Sequence, residues 1–415
     1  MKREIAVLTV GDELLNGERA DTNTAAIARR LAPHGLRLRE SLTVADVESE
    51  IEEALLELAG RRDVVIVTGG LGATVDDLTA RVAARAFKRH LVLSDEALRL
   101  IREHFRRTGR EMHPRNEKQA LLPQKAILIP NPVGSAPGFI LPQGEKELYF
   151  LPGVPAEMLA MLEATVLPRL RVGGEGAVAR ERIFKILGLA EPAIEELVAG
   201  AGLPVGVTVA FGVDFPLVHL KLRCSRADAD SLLDRSDLIV RRLFGENLVA
   251  MGDETLAGNV ARMLVGMGLT LALAESCTGG LIAAELTELP GASAFLERGA
   301  VTYADSAKIA WLKVPASLIA KEGAVSEACA RAMARGVRRS AGSDFGLAVT
   351  GIAGPDGGSP LKPVGTVFLA VAGESGETVL PCHFGGDRGE IRRQSVCLAL
   401  DLLRRALIGR IAGGA

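Results

Sequence analysis

Apolar residues recur along this chain in two registers. Short, largely apolar runs occupy 5–10, 63–68, 269–274, 345–349 and 366–372. Runs of that length with little polar alternation fit strands buried on both faces. At 24–32, 47–59, 77–87, 95–108, 255–267, 281–289, 327–341 and 388–407 apolar residues return every three or four positions. That is the period of a helix with one buried stripe. A further short strand is predicted at 301–303, and Thr255 or Asp253 is available to cap the helix at 255–267. Strands and helices in alternation imply parallel sheets covered on both sides. Residues 173–251 differ in texture: strands at 182–188, 205–211 and 217–223, helices at 191–199 and 227–243. The predicted fold class is α/β: two α/β domains with mainly parallel sheets, 1–172 and 252–415, joined by a small α+β module at 173–251 that opens on a Gly-rich turn at 173–176. The Gly/Ala-rich tail at 411–415 is predicted to fray.

Composition agrees with a multidomain globular chain. The 415 residues exceed the usual size of one domain. Apolar residues make up 48% and charged ones 24%, so each domain can bury a core without staples. A net charge of -2 argues against nucleic-acid binding by bulk electrostatics. Cys224, Cys277, Cys329, Cys382 and Cys397 are scattered and form no C-x-x-C, so neither a disulfide framework nor a zinc site is expected. The first residues contain no apolar signal region, and no apolar run approaches the ~20 residues of a spanning helix. A soluble, cytoplasmic protein without membrane contact is the expectation.

Candidate chemistry lies where strands meet glycines. Ser276, in Ala274-Glu275-Ser276-Cys277-Thr278-Gly279-Gly280, follows a strand and precedes a helix. A small-residue turn there directs side chains and amides into the crevice at the carboxyl end of a sheet. The helix start suits an oxyanion or a phosphate. Ser276, Cys277 and Thr278 are three nucleophile candidates; simple capping of the next helix is the alternative. None of the six histidines has a triad context, whereas Lys308 follows Val301-Thr302-Tyr303. A desolvated lysine can serve as the base for a serine, and a nearby tyrosine hydroxyl could relay the proton. The loop from Thr350 and Gly351 to Gly358 carries four glycines after a buried strand, and Arg388 opens the last helix. Arg388 suits a bidentate phosphate contact, or an ion pair with Asp387 or Glu390.

The N-terminal segment repeats the arrangement. Gly11, Asp12 and Glu13 end the first strand; Thr68-Gly69-Gly70-Leu71-Gly72-Ala73-Thr74-Val75-Asp76-Asp77 follows the strand at 63–68. Its glycines can cradle a phosphate and its aspartates can hold a hard cation. Asp77 as a helix cap and Glu13 as a solvated loop residue are the alternatives. Two more Gly/Pro loops, 131–138 and 151–155, include Gly134 and Ser135.

The motifs A-E-S-C-T-G-G, V-T-Y-x-x-x-x-K, G-A-V-S-E, T-G-I-A-G-P-D-G-G and G-D-R resemble the C-terminal domain of the CinA family over 253–409. The resemblance implies hydrolysis of nicotinamide mononucleotide to nicotinate mononucleotide and ammonia, with no cofactor. It implies attack by Ser276 on the carboxamide, proton handling by Lys308 with Tyr303, oxyanion amides among Cys277, Thr278 and Gly279, and substrate contacts from Thr350, Gly351 and Arg388. Cys277 is the rival nucleophile. Residues 3–170 resemble the molybdopterin-binding-like domain of the same family. That implies cleavage of ADP-ribose to AMP and ribose 5-phosphate with a divalent metal ion of Mg or Co type. Asp76, Asp77 and Glu13 would lie near the metal, and Gly11, Gly70, Gly72, Thr74, Gly134 and Ser135 near the phosphates. The alternative for this half is a pterin-binding or competence-associated partner without turnover. The middle segment resembles a KH-like module, but it has no G-x-x-G loop directly flanked by basic residues. A spacer and dimerisation role is expected rather than RNA binding, and the family implies a homodimer.

Overall fold

The computed structural model describes residues 3–171 and 180–413. The turn expected at 173–176 and the last two residues of the tail lie outside them. Contacts divide the chain into two compact units, Met1–Arg180 with Ser225–Ala227, and Glu181–Cys224 with Asp228–Ala415.

The N-terminal unit contains strands β1 (Ile5–Val10), β2 (Leu38–Val44), β3 (Val64–Thr68), β4 (Leu91–Leu93), β5 (Leu121–Pro123), β6 (Ile127–Ile129), β7 (Gly138–Gln143) and β8 (Lys146–Leu151). Six of them form a sheet ordered β2-β1-β3-β8-β7-β6. The first four run parallel, and β7 and β6 are added antiparallel at one edge. The apolar run of β1 explains its central place, because alternate residues serve opposite faces. Ile5 and Val7 pack with Ile27 and Met158 on one side; Ala6 and Leu8 pack with Ile51, Leu55 and Val82 on the other. The helix predicted at 77–87 is confined to Thr79–Ala86, because Asp77 belongs to the preceding loop.

The second unit carries two sheets. One, ordered β10-β11-β9-β12, comprises β9 (Arg180–Ile186), β10 (Thr208–Asp214), β11 (Leu217–Cys224) and β12 (Leu248–Met251). Strand β11 alternates buried and half-buried residues, as expected for a sheet covered on one face, and the helix Ala229–Phe244 buries Leu232, Leu233 and Val240 in the same core. The other sheet, ordered β14-β13-β15-β16-β17, comprises β13 (Leu271–Glu275), β14 (Leu296–Val301), β15 (Phe345–Gly351), β16 (Thr366–Gly373) and β17 (Gly376–His383). Its three parallel strands are extended by the antiparallel hairpin β16–β17. Thr255 rather than Asp253 caps the helix Leu256–Met267, accepting from the Gly258 amide at 2.9 Å. The short strand expected at 301–303 is instead the end of β14. Thr302 and Tyr303 lead from it into a helix, Asp305–Leu312, which has a weak apolar stripe because one of its buried residues is Lys308.

The two sheets of this unit are tied by buried charge. Arg404, on the terminal helix Arg388–Gly413, donates to Asp401 at 2.6 and 2.8 Å and to the Glu246 carbonyl at 2.5 Å. Both side chains are almost fully buried, so each requires the other. All five cysteines are free thiols, and no helix among the described residues is long and apolar enough to cross a membrane.

Where β3 ends, Gly69 adopts φ +106°, and a Cβ there would stand 2.2 Å from the Val10 carbonyl oxygen. Gly69→Ala should therefore cost about 3 kcal/mol or more, read as a lowered denaturant midpoint of the N-terminal unit; an unchanged midpoint would show that this close approach is absent.

Candidate active site

Strand β13 is buried throughout and ends on a carboxylate. Glu275 is 1% exposed. Its two oxygens accept the amides of Gly280 (3.0 Å), Ile282 (3.1 Å) and Ala283 (2.9 Å). These belong to the first turn of the helix Leu281–Thr287, where no residue at the cap position supplies a side-chain acceptor. Glu275 thus does the capping from the end of the preceding strand. Gly279 and Gly280, at φ +63° and +94°, supply the left-handed steps that bring the helix start back over that strand. Ser276 is fixed at both backbone groups: its amide donates to the Val349 carbonyl, and its carbonyl accepts the Gly279 amide, each at 3.0 Å.

Ser276 and Lys308 meet. Lys308 Nζ lies 3.2 Å from Ser276 Oγ and donates to the carbonyls of Thr302 (2.9 Å) and Tyr303 (3.0 Å). Lys308 is 1% exposed and Ser276 8%. Burial lowers the lysine pKa below its ordinary 10.5, because the ammonium loses its water. A neutral amine has two N–H donors and one lone pair. In that form the two carbonyls would take both donors and leave the lone pair for the serine hydroxyl. If the proton passes to nitrogen, the same three partners serve an ammonium, so the transfer needs no rearrangement.

Burial pushes the Cys277 thiol up to about 11, which leaves it protonated near neutrality and a poor nucleophile. The Cys277 and Thr278 amides lie near enough to that sulfur to oppose part of the shift. The Gly279 amide, expected among the oxyanion donors, closes the turn onto Ser276 instead. Thr278 is fully buried, its carbonyl accepts from Arg392 Nη2 at 2.8 Å, and its hydroxyl has no partner.

The remaining residues divide. The Thr350 hydroxyl is occupied by the Ala324 carbonyl at 2.9 Å, and Gly351 lies against Val367, which leaves no room for a Cβ. Arg388 is exposed and bonds neither Asp387 nor Glu390; it donates to the Gly354 carbonyl (2.6 Å) and the Tyr303 hydroxyl (3.2 Å). Tyr303 therefore offers its carbonyl to Lys308 and its hydroxyl to Arg388, an arrangement different from the expected proton relay.

In the N-terminal unit, Gly70, Gly72 and Asp77 line a cavity of about 220 Å³ together with Lys118 and Gln119, and Ser135 Oγ is 3.4 Å from Gln119 Oε1. Thr74, Gly134 and Gly11 are not in its wall. Gly134 gives its amide to Asn131 at 2.8 Å, and Gly11 donates to Val44 at 3.1 Å beneath the Glu13 carboxylate. Asp77 accepts the Gly72 amide at 2.6 Å, the Thr74 amide at 2.8 Å and the Thr74 hydroxyl. It acts as a loop brace rather than an open metal ligand. Asp76 and Glu13 lie close enough to Asp46, with Asp12, to act on its charge, and burial first and these neighbours next raise the Asp46 pKa. Among the described residues no three His, Cys, Asp or Glu side chains converge as a metal site. The donor set for a divalent ion is therefore not assembled here.

Sequence reasoning missed Glu275, Arg392 and the cap Ser326, whose hydroxyl accepts from the Cys329 amide at 3.2 Å. A glutamate closing an apolar run, six residues before the start of a helix with no capping side chain, was the available signal for Glu275. Glu275→Gln keeps the shape but sets an NH2 group against backbone donors, and should cost about 2–3 kcal/mol. Denaturant unfolding checks this; a change below about 0.5 kcal/mol would deny the carboxylate its role.

The sequence profile of the CinA C-terminal domain matches residues 253–407, and that described as "Probable molybdopterin binding domain" matches 6–172. A CinA-like protein of Syntrophotalea carbinolica is 58% identical over 409 residues, covering 98% of this chain and 99% of its own. One from Geobacter sulfurreducens is 52% identical over 412 residues, covering 98% and 99%. The crystal structure of a CinA protein of unknown function from Thermoplasma acidophilum is 36% identical and covers 40% of this chain and 98% of its own, with a TM-score of 0.38. Matched from end to end by such relatives, this chain belongs to the CinA family, with a molybdopterin-binding-like N-terminal domain and a CinA C-terminal domain.

Proposed function

We propose that the C-terminal domain hydrolyses the carboxamide of nicotinamide mononucleotide to nicotinate mononucleotide and ammonia. The contact between Lys308 Nζ and Ser276 Oγ at 3.2 Å carries this reading. Neutral Lys308 takes the serine proton as Oγ attacks the carboxamide carbon. The negative charge that develops on the carbonyl oxygen is met by the Cys277 and Thr278 amides. Collapse of the tetrahedral species breaks the C–N bond, and Lys308 returns its proton to the departing ammonia. Water then attacks the acyl-serine with Lys308 again as base, and releases the carboxylate. Arg388, exposed beside the Tyr303 hydroxyl, would meet the phosphate.

The base must be neutral. The rate should therefore rise with pH through a single ionisation lying below 10.5, the ordinary lysine value. Ser276→Ala and Lys308→Met should each lower ammonia release at least about a thousandfold, and Cys277→Ala should change it less than about threefold. Retained activity in Ser276→Ala, or its loss in Cys277→Ala with the fold intact, would transfer the nucleophile to the cysteine.

For the N-terminal domain we propose nucleotide or pterin binding in the cavity between Gly70, Gly72 and Lys118. Cleavage of ADP-ribose is the catalytic form of that reading. It requires a divalent ion, for which the described residues as placed do not form a ligand set. The purified chain should bind ADP-ribose and release no AMP with either Mg2+ or Co2+. Metal-dependent AMP release would establish pyrophosphatase activity instead.

A further inference from the structure

The C-terminal domain has a further concavity whose lining includes none of Ser276, Cys277, Tyr303, Lys308 and Arg388. It measures about 840 Å³, within the usual range of small-molecule sites, and is formed by the helices Asp305–Leu312, Ala316–Glu322 and Glu327–Ala341. Trp311, the only tryptophan of the chain, stands in its wall and is 60% exposed. Leu318 and Pro315 supply further apolar lining.

The charge is unbalanced. Arg331, Arg335 and Arg339 follow one another at four-residue intervals along one helix and all line the cavity, as does Lys313. Glu322 and Glu327 are the acidic members of the wall. Glu377, reaching in from β17, holds Arg335 by two bonds of 2.6 and 2.7 Å and lies 3.8 Å from Arg331. The Arg335 guanidinium first of all holds the Glu377 carboxyl below its ordinary range. Two of the four cations are thus positioned in advance by a protein carboxylate. Arg339 adds its charge to those that lower the Glu377 pKa but forms no ion pair with it, and Lys313, whose Nζ donates to the Ala310 carbonyl at 2.9 Å, likewise forms no ion pair among the described residues.

An open indole face beside two cations without carboxylate partners suits one kind of small molecule, with a planar aromatic ring at one end and an anionic group at the other. We propose that this cavity binds a nucleotide, its base stacked on Trp311 and its phosphate held by Arg339 and Lys313. A purely apolar ligand would leave the cations unused, and a simple anion would leave the indole uncovered. The site is independent of the deamidase reading.

Fluorescence of the sole tryptophan, in the full-length protein, reports directly on the cavity. Titration with AMP and with ATP should give saturable quenching. Inorganic phosphate alone should not quench, but should compete at higher concentration. Arg339→Glu should weaken nucleotide binding at least about tenfold. Lys313→Asn, which keeps a side chain tolerated at the left-handed φ of 58° found there, should weaken it less severely and serves if the first variant misfolds. Trp311→Phe removes the signal, and calorimetry then reads the lost stacking as weaker binding. Absence of saturable quenching by both nucleotides would overturn the proposal. So would quenching whose midpoint is unchanged in both charge variants, or burial of Trp311 by concentration-dependent self-association that nucleotide does not affect.

Discussion

A single buried carboxylate organises the corner around Ser276. Glu275 could not remain charged in the core without partners, since desolvating an anion costs several kcal/mol. Three backbone amides compensate it, and they are amides that the next helix could not otherwise satisfy. Each side thus meets the other's deficit. The route between them is short enough that Gly279 and Gly280 must take left-handed conformations, and Ser276 is drawn onto the Val349 carbonyl. The position of Ser276 follows from that closure.

Lys308 obeys the same logic with opposite sign. A lysine that loses its water must find oxygen partners or give up its charge. Two carbonyls just past β14 supply the partners without supplying a countercharge. The amine is held firmly and stays easy to deprotonate. A carboxylate in place of either carbonyl would bind the nitrogen better and keep its proton on. Base strength here depends on acceptors that are neutral.

The sequence displayed the strands buried on both faces, such as β1, β3 and β13, because unbroken apolar runs have few other uses. It displayed the Gly-rich turns after them for the same reason. Edge strands were harder: β17 alternates half-buried and exposed residues and lacks a continuous run. The helix around Lys308 escaped because its buried stripe contains a lysine, which periodicity counts as polar. Ser276 and Lys308 could be named as partners, but Glu275 could not. A glutamate beside a serine reads as solvated until the fold buries it. Asp77 failed in the other direction: adjacent acids suggest a cation, whereas this one is engaged by amides of its own loop. Local spacing reveals which groups are near one another in the chain. It does not reveal which hydrogen-bond donors have already been claimed.

The terminal helix has a mechanical consequence. Its 26 residues make a rod of roughly 39 Å. Near one end Arg392 grips the Thr278 carbonyl. Further along, Arg404 and Arg405 grip Glu246, beside the sheet ordered β10-β11-β9-β12. A helix resists bending far more than a loop does, so these grips cannot move independently. A load applied to that sheet arrives at the Ser276 turn as a displacement of the rod along its own axis or a roll about it. The accuracy with which Ser276 faces Lys308 is thereby referred to a part of the protein that touches neither.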